Sequence, residues 1–217
     1  NVDVDTRQHV GNRLGQLRIV HVTVVRRDHI NAEALFVARF GHQRLGALKV
    51  VTGNEIRKPA AGRLAREAAD SADRLVRVAG SLPPLRHSYN PAPTASYEEL
   101  VDEYGQMVEQ LVEFVDVFLC ETMGAVHEAR AATDAARASG REVWTSFTLQ
   151  GGTGPHLLDG TPFTQACGEV AADVFLLNCC PPEQITASLP LLRKATDHPI
   201  GVYANAFHDM PKDWRGR

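Results

Sequence analysis

Short apolar runs recur along the chain from about residue 75 and predict buried strands. Each run holds about four to six mostly apolar residues and lacks the alternation of polar and apolar positions. Runs of this kind are typical of strands that are covered on both faces in a parallel sheet. The predicted strands lie within residues 75–80, 114–122, 141–148, 172–180 and 198–206.

Between these runs, apolar residues recur at three-and-four spacing and predict helices. The clearest helix lies within residues 96–114, where the apolar positions form one face and Ser96 with Glu99 forms a candidate capping box. In a helix expected near the end of the chain, Pro182 suits the first turn, and Pro190 should kink or shorten the helix. The other predicted helices lie within residues 62–75, 125–140, 161–171 and 181–198.

Strands and helices that alternate at intervals of about thirty residues predict βα units and a parallel sheet. Five such strands fit either an open doubly wound sheet or part of a (β/α)8 barrel. A complete barrel needs roughly 250 residues, so a chain of 217 residues would hold most of one. The first part of the chain is less regular. Residues 17–25 suggest a strand, residues 26–51 could be helical, and residues 1–16 show no convincing period.

Composition narrows the class of protein. Hydrophobic residues make up 44% of the chain and charged residues 23%, which is ordinary for a globular domain. The net charge of −3 argues against a nucleic-acid or membrane-surface partner. No apolar run reaches the length of a membrane span and no signal peptide is recognisable, so we expect a cytoplasmic protein. The chain begins with Asn1 and ends in a charged stretch, so we expect it to be incomplete at both ends.

In a parallel βα architecture, functional side chains gather at the carboxyl ends of the strands. Among the residues at these ends, Glu121 directly follows an apolar run. A carboxylate there could receive a cationic group such as the ammonium of an amino acid. A salt bridge or helix cap at the rim is an equal alternative. The polar residues and thiols at the predicted strand ends are Ser81, Glu121, Thr122, Ser146, Thr148, Asn178, Cys179, Tyr203 and Asn205.

Four cysteines are too few and too unevenly spaced for a secreted disulfide scaffold. A free cysteine is usually a small buried hydrophobe, which is the reading that we favour for Cys120 and Cys167. Cys179 differs because it ends a strand beside a polar asparagine. One adjacent pair, Cys179 and Cys180, cannot fill a zinc site that uses three or four protein ligands. Spacing alone therefore does not favour a metal.

Several motifs nevertheless favour a metal site, because they follow one another in the order and spacing of one family. The segment from about Gly62 to Phe207 resembles the homocysteine S-methyltransferase family, across about two thirds of the chain. The ordered set, with its turn after the first predicted strand and its Asn-Cys strand end, is specific. The matching pieces are GRLAREAAD, VAGSLPPLRHSYNP, VDVFLCETM, VWTSFTL followed by LLDGTPF, LLNCCPPEQI and IGVYANAF.

The resemblance implies an α/β fold of the (β/α)8 TIM-barrel type, incomplete at both ends, with residues 1–217 as a single homocysteine-binding domain. The family's opening Asp-Gly strand is not recognisable in residues 1–30, and the assignment of residues 1–60 rests on no family motif. The C-terminal barrel units with the family's Gly-Gly-Cys-Cys motif are absent from the sequence.

The resemblance also implies a zinc site and a substrate site. The family binds zinc through three cysteines, one in the Asn-Cys motif, which places that ligand at Cys179 and leaves Cys180 as a packing residue. The other two belong to the missing Gly-Gly-Cys-Cys motif. The glutamate that binds the homocysteine amino group corresponds to Glu121. The other residues expected at the same mouth are Asn178, Asn205, Ser81 and Tyr89.

The implied reaction is methyl transfer from a sulfonium donor, S-methylmethionine or S-adenosylmethionine, to a zinc-bound homocysteine thiolate, giving methionine. With one candidate ligand, Cys179, we expect the 217-residue chain alone to bind zinc poorly and to have little activity. Two alternatives remain. The chain could be an inactive, truncated barrel relative, or an unrelated α/β barrel enzyme that uses Glu121 as a general base.

Overall fold

The computed structural model describes residues 19–22, 33–36, 39–40, 43–44, 48–51, 57–85, 95–151 and 155–205, with side chains from residue 59 onward. The strands in these ranges are β1 (Ile19–Val22), β2 (Glu33–Phe36), β3 (Arg39–Phe40), β4 (Gln43–Arg44), β5 (Leu48–Val51), β6 (Arg77–Leu82), β7 (Val117–Met123), β8 (Glu142–Phe147), β9 (Val174–Asn178) and β10 (Ile200–Tyr203). The helices are α1 (Arg57–Asp70), α2 (Tyr97–Leu111), α3 (Val126–Arg137), α4 (Phe163–Glu169) and α5 (Pro182–Ala195).

Six strands form one parallel sheet in the order β1-β6-β7-β8-β9-β10. The strands thus follow one another across the sheet in the order of the chain, with no reversal. A doubly wound sheet reverses its strand order at a switch point, whereas a barrel adds each strand beside the last. The strand order therefore agrees with the barrel alternative. In the described part of the chain, β1 and β10 are the edges of this sheet.

The helices cover one face of the sheet. The main core joins the outward side chains of the strands, such as Val78, Phe118 and Phe175, to the apolar faces of the helices. Tyr104 of α2 is fully buried in this core, and its hydroxyl donates to the Pro83 carbonyl at 3.0 Å. The helix layer therefore contacts the chain at Pro83, just after β6, as well as the strands.

The opposite face of the sheet has its own small apolar cluster, which contains strand residues alone among the described residues. Successive strand side chains point to opposite faces, so the members alternate with those of the main core. They are Ala79, Val117, Leu119, Val174 and Leu176, with Trp144 packed against them. In a barrel-type sheet, the face without helices is the inner face.

Most predicted elements are present with shifted ends, and the capping box of Ser96 and Glu99 is confirmed. The strand predicted within residues 75–80 starts two residues late, because Leu75 lies in the loop before β6 and is 84% exposed. Helix α5 continues past Pro190 to Ala195, so the proline does not end it. Among the described helices, none is long and apolar enough to cross a membrane.

The possible helix within residues 26–51 is wrong. Short antiparallel pairs form there instead, β2 with β5 and β3 with β4. The sequence between these strands contains Gly41 and Gly46. Glycine in a helix interior costs roughly 0.5–1 kcal/mol relative to alanine, and the short apolar pieces on either side of the two glycines suit short strands.

Candidate active site

The inner face of the sheet becomes polar at the carboxyl ends of its strands. Ser81, Glu121 and Asn178 each lie two residues beyond an apolar inner residue of the same strand, and Ser146 lies two beyond Trp144. Because side chains alternate with a period of two, these polar groups point to the same face as the apolar cluster. Parallel strands end at one edge, so the polar side chains meet there.

The Glu121 carboxylate receives hydroxyl groups from both sides. The Ser81 hydroxyl donates to its Oε1, and the Tyr203 hydroxyl donates to its Oε2 at 2.8 Å. Glu121 is only 8% exposed and Ser81 is fully buried. Both hydroxyl groups donate, so the two carboxylate oxygens act as acceptors. The arrangement therefore presents a largely buried carboxylate that can receive a cationic group.

Asn178 connects three other strands at the centre of this edge. Its Oδ1 accepts from the backbone N–H of Thr122 at 3.1 Å and from the Ser146 hydroxyl at 2.6 Å. Its Nδ2 donates to Thr122 Oγ1 and to the Tyr203 hydroxyl, both at 2.8 Å. Asn178 is fully buried. Its amide is therefore engaged by protein groups on β7, β8 and β10.

Two residues beside this network have left-handed backbone conformations. Thr122 has φ 60° and Cys179 has φ 53°, which are uncommon values for residues other than glycine. A regular strand would turn both side chains away from the inner face. The left-handed turn, with a register shift between Cys120 and Met123, brings Thr122 Oγ1 within 3.6 Å of Cys179 Sγ. Strained backbone of this kind clusters at functional sites.

The adjacent cysteines have different surroundings. Cys179 is half-buried, and its Sγ lies 3.3 Å from Asn178 Nδ2. Cys180 is fully buried, and its Sγ accepts from the Leu149 backbone N–H at 3.2 Å and donates to the Asn178 carbonyl at 3.1 Å. Burial raises the pKa of the Cys180 thiol. Cys180 is thus held in the core, whereas Cys179 reaches the mouth.

Asn205 and Tyr89 are the two remaining predicted site residues, and the structure describes Asn205. Asn205 follows β10, and its backbone N–H donates to the Cys180 carbonyl at 2.9 Å. This bond places Asn205 beside the end of β9. Tyr89 lies outside the described residues.

The described residues alone do not fit a complete metal site. Within the described ranges, no group of three or more His, Cys, Asp or Glu side chains could hold a metal ion. Zinc takes three or four protein ligands, and Cys179 is the thiol that faces this mouth. A metal here would need further ligands from residues outside those ranges.

The comparison with protein families decides the class of this site. Residues 43–217 match the family model described as homocysteine S-methyltransferase. The chain belongs to the homocysteine S-methyltransferase family. This membership excludes the alternative of an unrelated barrel enzyme.

A curated relative agrees with this assignment. Homocysteine S-methyltransferase YbgG of Bacillus subtilis (strain 168) is 30% identical over 132 residues, which are 56% of this chain and 41% of YbgG. The chain therefore spans less than half the length of that relative.

Solved structures show a similar fold. The metallated form of the homocysteine methyltransferase MmuM from Escherichia coli superposes with a TM-score of 0.61 at 28% identity, covering 71% of this chain and 61% of MmuM. The apo form gives 0.58 at 29% identity, covering 71% and 62%. The described helices and parallel sheet thus match part of the MmuM fold, which is of the TIM-barrel type, and the metallated form of MmuM is consistent with a metal ion.

Three residues of the site were not among those that the family resemblance pointed to. Tyr203, Thr122 and Ser146 hold Glu121 and Asn178 in place. The rule that functional groups gather at strand ends does name all three, because each lies at or near the end of a predicted strand. The left-handed backbone at Thr122 carries no signal in the sequence, which has neither glycine nor asparagine there.

Proposed function

We propose that this chain is the homocysteine-binding domain of an enzyme that transfers a methyl group to homocysteine. One observation supports it most: a largely buried carboxylate, Glu121, and a half-buried thiol, Cys179, share one edge of a sheet in a member of this family. The domain would comprise residues 1–217. Its partners would be homocysteine and a methyl donor, with no nucleic acid.

Glu121 binds the substrate ammonium in this proposal. A carboxylate has about four lone-pair sites, so it can accept N–H donors as well as hydroxyl groups. Ser81 holds one oxygen from β6, and Tyr203 holds the other from β10. Asn178 orients Cys179 and Thr122, and Asn205 lies beside them at the end of β10.

The reaction is an exchange of one carbon–sulfur bond for another. The homocysteine sulfur forms a bond to the methyl carbon of a sulfonium donor, S-methylmethionine or S-adenosylmethionine. The bond from that carbon to the donor sulfur breaks, and its electron pair leaves a neutral thioether. The homocysteine thiol proton goes to solvent, and methionine is formed. A thiolate is the reactive form of the sulfur, so a site that favours the thiolate accelerates the exchange.

We further propose that the metal of the family is zinc here and that Cys179 is one of its ligands. Zinc bound beside the substrate would favour the thiolate form of its sulfur. The other ligands must come from outside the described residues. The 217-residue chain alone should therefore hold little zinc. In a form of the protein that supplies the other ligands, elemental analysis should find that zinc falls in Cys179→Ser and persists in Cys180→Ser. Equal zinc content in both variants contradicts the role of Cys179.

Methionine formation tests the function directly. Homocysteine with S-methylmethionine or S-adenosylmethionine is incubated with the protein and the product is measured by mass spectrometry. Glu121→Gln should lower kcat/KM about 10- to 100-fold, because a hydrogen-bonded charge contributes about 1.5–3 kcal/mol. Cys167→Ser on α4, away from the mouth, is the control. Undiminished turnover of Glu121→Gln would contradict the proposal that Glu121 binds the substrate ammonium.

A further inference from the structure

We propose that Tyr203 is a positioning residue that keeps Glu121 a hydrogen-bond acceptor for the substrate ammonium, and that Asn178 sets the direction of this contact. The inference rests on the proposed function, since it assumes that Glu121 binds the amine. Three side chains form this hydrogen-bonded chain: Tyr203 on β10, Glu121 on β7 and Asn178 on β9. Their geometry fixes the direction of each hydrogen bond.

The direction starts from a backbone N–H. The Thr122 N–H can only donate, and it donates to one side-chain atom of Asn178 at 3.1 Å. That atom must be the amide oxygen, because an NH2 group could not accept there. The opposite atom is therefore the nitrogen, which can only donate. The orientation of the Asn178 amide follows from the backbone and needs no further assumption.

The nitrogen then determines where the Tyr203 proton lies. Asn178 Nδ2 lies 2.8 Å from the Tyr203 oxygen, so this oxygen accepts. The single hydroxyl proton of Tyr203 is then free to point to Glu121 Oε2, also at 2.8 Å. The chain of donors runs from Asn178 through Tyr203 to Glu121. Hydrogen bonds in such a chain polarise and strengthen one another.

Because the hydrogen bonds run in this direction, both carboxylate oxygens of Glu121 act as acceptors. Oε2 receives a proton donor from Tyr203, and Oε1 receives one from Ser81. Burial and the adjacent Glu121 carboxylate raise the pKa of Tyr203 above its ordinary range, so the hydroxyl keeps its proton. A ligand that binds to this carboxylate must bring its own hydrogen-bond donor. The pocket should thus select an ammonium group and discriminate against a ligand that lacks one.

In the described part of the chain, Tyr203 reaches this carboxylate from the edge strand β10. About 40% of the residue is exposed, while its hydroxyl turns inward to Glu121 and Asn178. Tyr97 offers a matched comparison within this chain. Its hydroxyl also donates to a carboxylate, that of Asp134, but it lies where α2 packs on α3, in contact with His127 and Arg130.

Calorimetric binding of two probes tests the inference without turnover. L-Homocysteine carries the ammonium, and 4-sulfanylbutanoate has the same thiol and carboxylate without it. The measured quantity is the ratio of the two Kd values. In Tyr203→Phe we expect this preference for homocysteine to fall about tenfold, as one hydrogen bond to a charged group is lost. Tyr97→Phe should keep the wild-type ratio. Thermal melts confirm that both variants are folded.

A double mutant shows whether Tyr203 acts through Glu121. In a Glu121→Gln background, Tyr203→Phe should cause no further loss of preference, because contacting residues are coupled. Losses that add independently overturn the positioning role. If the wild type binds both probes equally, the amine site itself is wrong, and with it the proposed role of Glu121. If the wild type prefers homocysteine and Tyr203→Phe retains that preference, the inference about Tyr203 alone is wrong.

Discussion

Thr122 Oγ1 and Cys179 Sγ lie 3.6 Å apart, although β8 separates their strands in the sheet. Both residues have a positive φ, and this brings their side chains to one mouth. A left-handed conformation costs roughly 1–2 kcal/mol for a residue with a side chain. The contact therefore exists at the expense of local backbone strain.

This strain predicts an unusual order of stability at Cys179. Cys179→Gly should be more stable to unfolding than Cys179→Ala by about 1 kcal/mol, because glycine adopts a positive φ without a steric penalty. Urea unfolding of both variants measures the difference. At Cys167, inside α4, the order should be reversed, since glycine costs about 1 kcal/mol relative to alanine in a helix. Greater stability of the alanine variant at both positions would contradict the strain at Cys179.

The four cysteines should differ sharply in reactivity. Cys179 is half-buried, whereas Cys120, Cys167 and Cys180 are buried. Burial raises the pKa of Cys120 and of Cys167 to about 12, so both stay as unreactive thiols near neutral pH. Brief treatment of the folded protein with iodoacetamide should therefore modify Cys179 first, as measured by peptide mass spectrometry. Denaturant should make all four reactive. Modification of Cys180 as fast as Cys179 would show that their different burial is wrong.

The sequence predicts the elements better than their relations. Apolar runs and a capping box identify β7 and α2 because these signals are local. The strand order, which separates a barrel-type sheet from a doubly wound one, depends on pairing between distant segments. The site shows the same limit: Tyr203 contacts Glu121 across 82 residues of sequence. Period-two alternation places Glu121 on a face, but only the folded sheet shows which hydroxyls reach it.

The buried thiol of Cys120 should make stability depend on pH in the alkaline range. Its pKa is raised by burial to about 12 in the folded state, against about 8.5 in an unfolded chain. Below pH 8.5 the thiol is protonated in both states and the stability is fully present. Above that pH the unfolded state loses its proton first, so stability falls by about 1.4 kcal/mol per pH unit until the folded thiol also ionises.

Cys120→Ala should remove this contribution to the fall of the unfolding free energy with rising pH. Urea unfolding at pH 8 and near pH 10, compared between the variant and the wild type, isolates the contribution of one thiol. Val143→Ala, on the neighbouring strand β8 and equally buried, should lower stability at both pH values without changing the slope. An identical slope in Cys120→Ala and the wild type would show that the folded thiol titrates normally.

Asp159 caps a helix to which it does not belong. The N-cap of α3, Ala125, has no side-chain cap, and the Val126 N–H instead donates to Asp159 Oδ2 at 2.9 Å. The other carboxylate oxygen accepts from the Thr161 N–H at 2.8 Å. An anion at a helix N-terminus also interacts favourably with the helix dipole. The LLDGTPF motif thus joins the loop after β8 to the start of α3, the helix that follows β7.

Asp159→Ala should therefore destabilise the protein by about 1 kcal/mol, the usual cost of losing a cap. Asp159→Asn should lose less, because its amide oxygen can still accept from the Val126 N–H, although its NH2 group cannot accept from Thr161. Urea unfolding measures both changes. Asp197→Ala, at an exposed position, is the control and should change the free energy of unfolding by less than about 0.5 kcal/mol. If asparagine and alanine at position 159 destabilise equally, the carboxylate acts through its charge and not as a hydrogen-bonding cap.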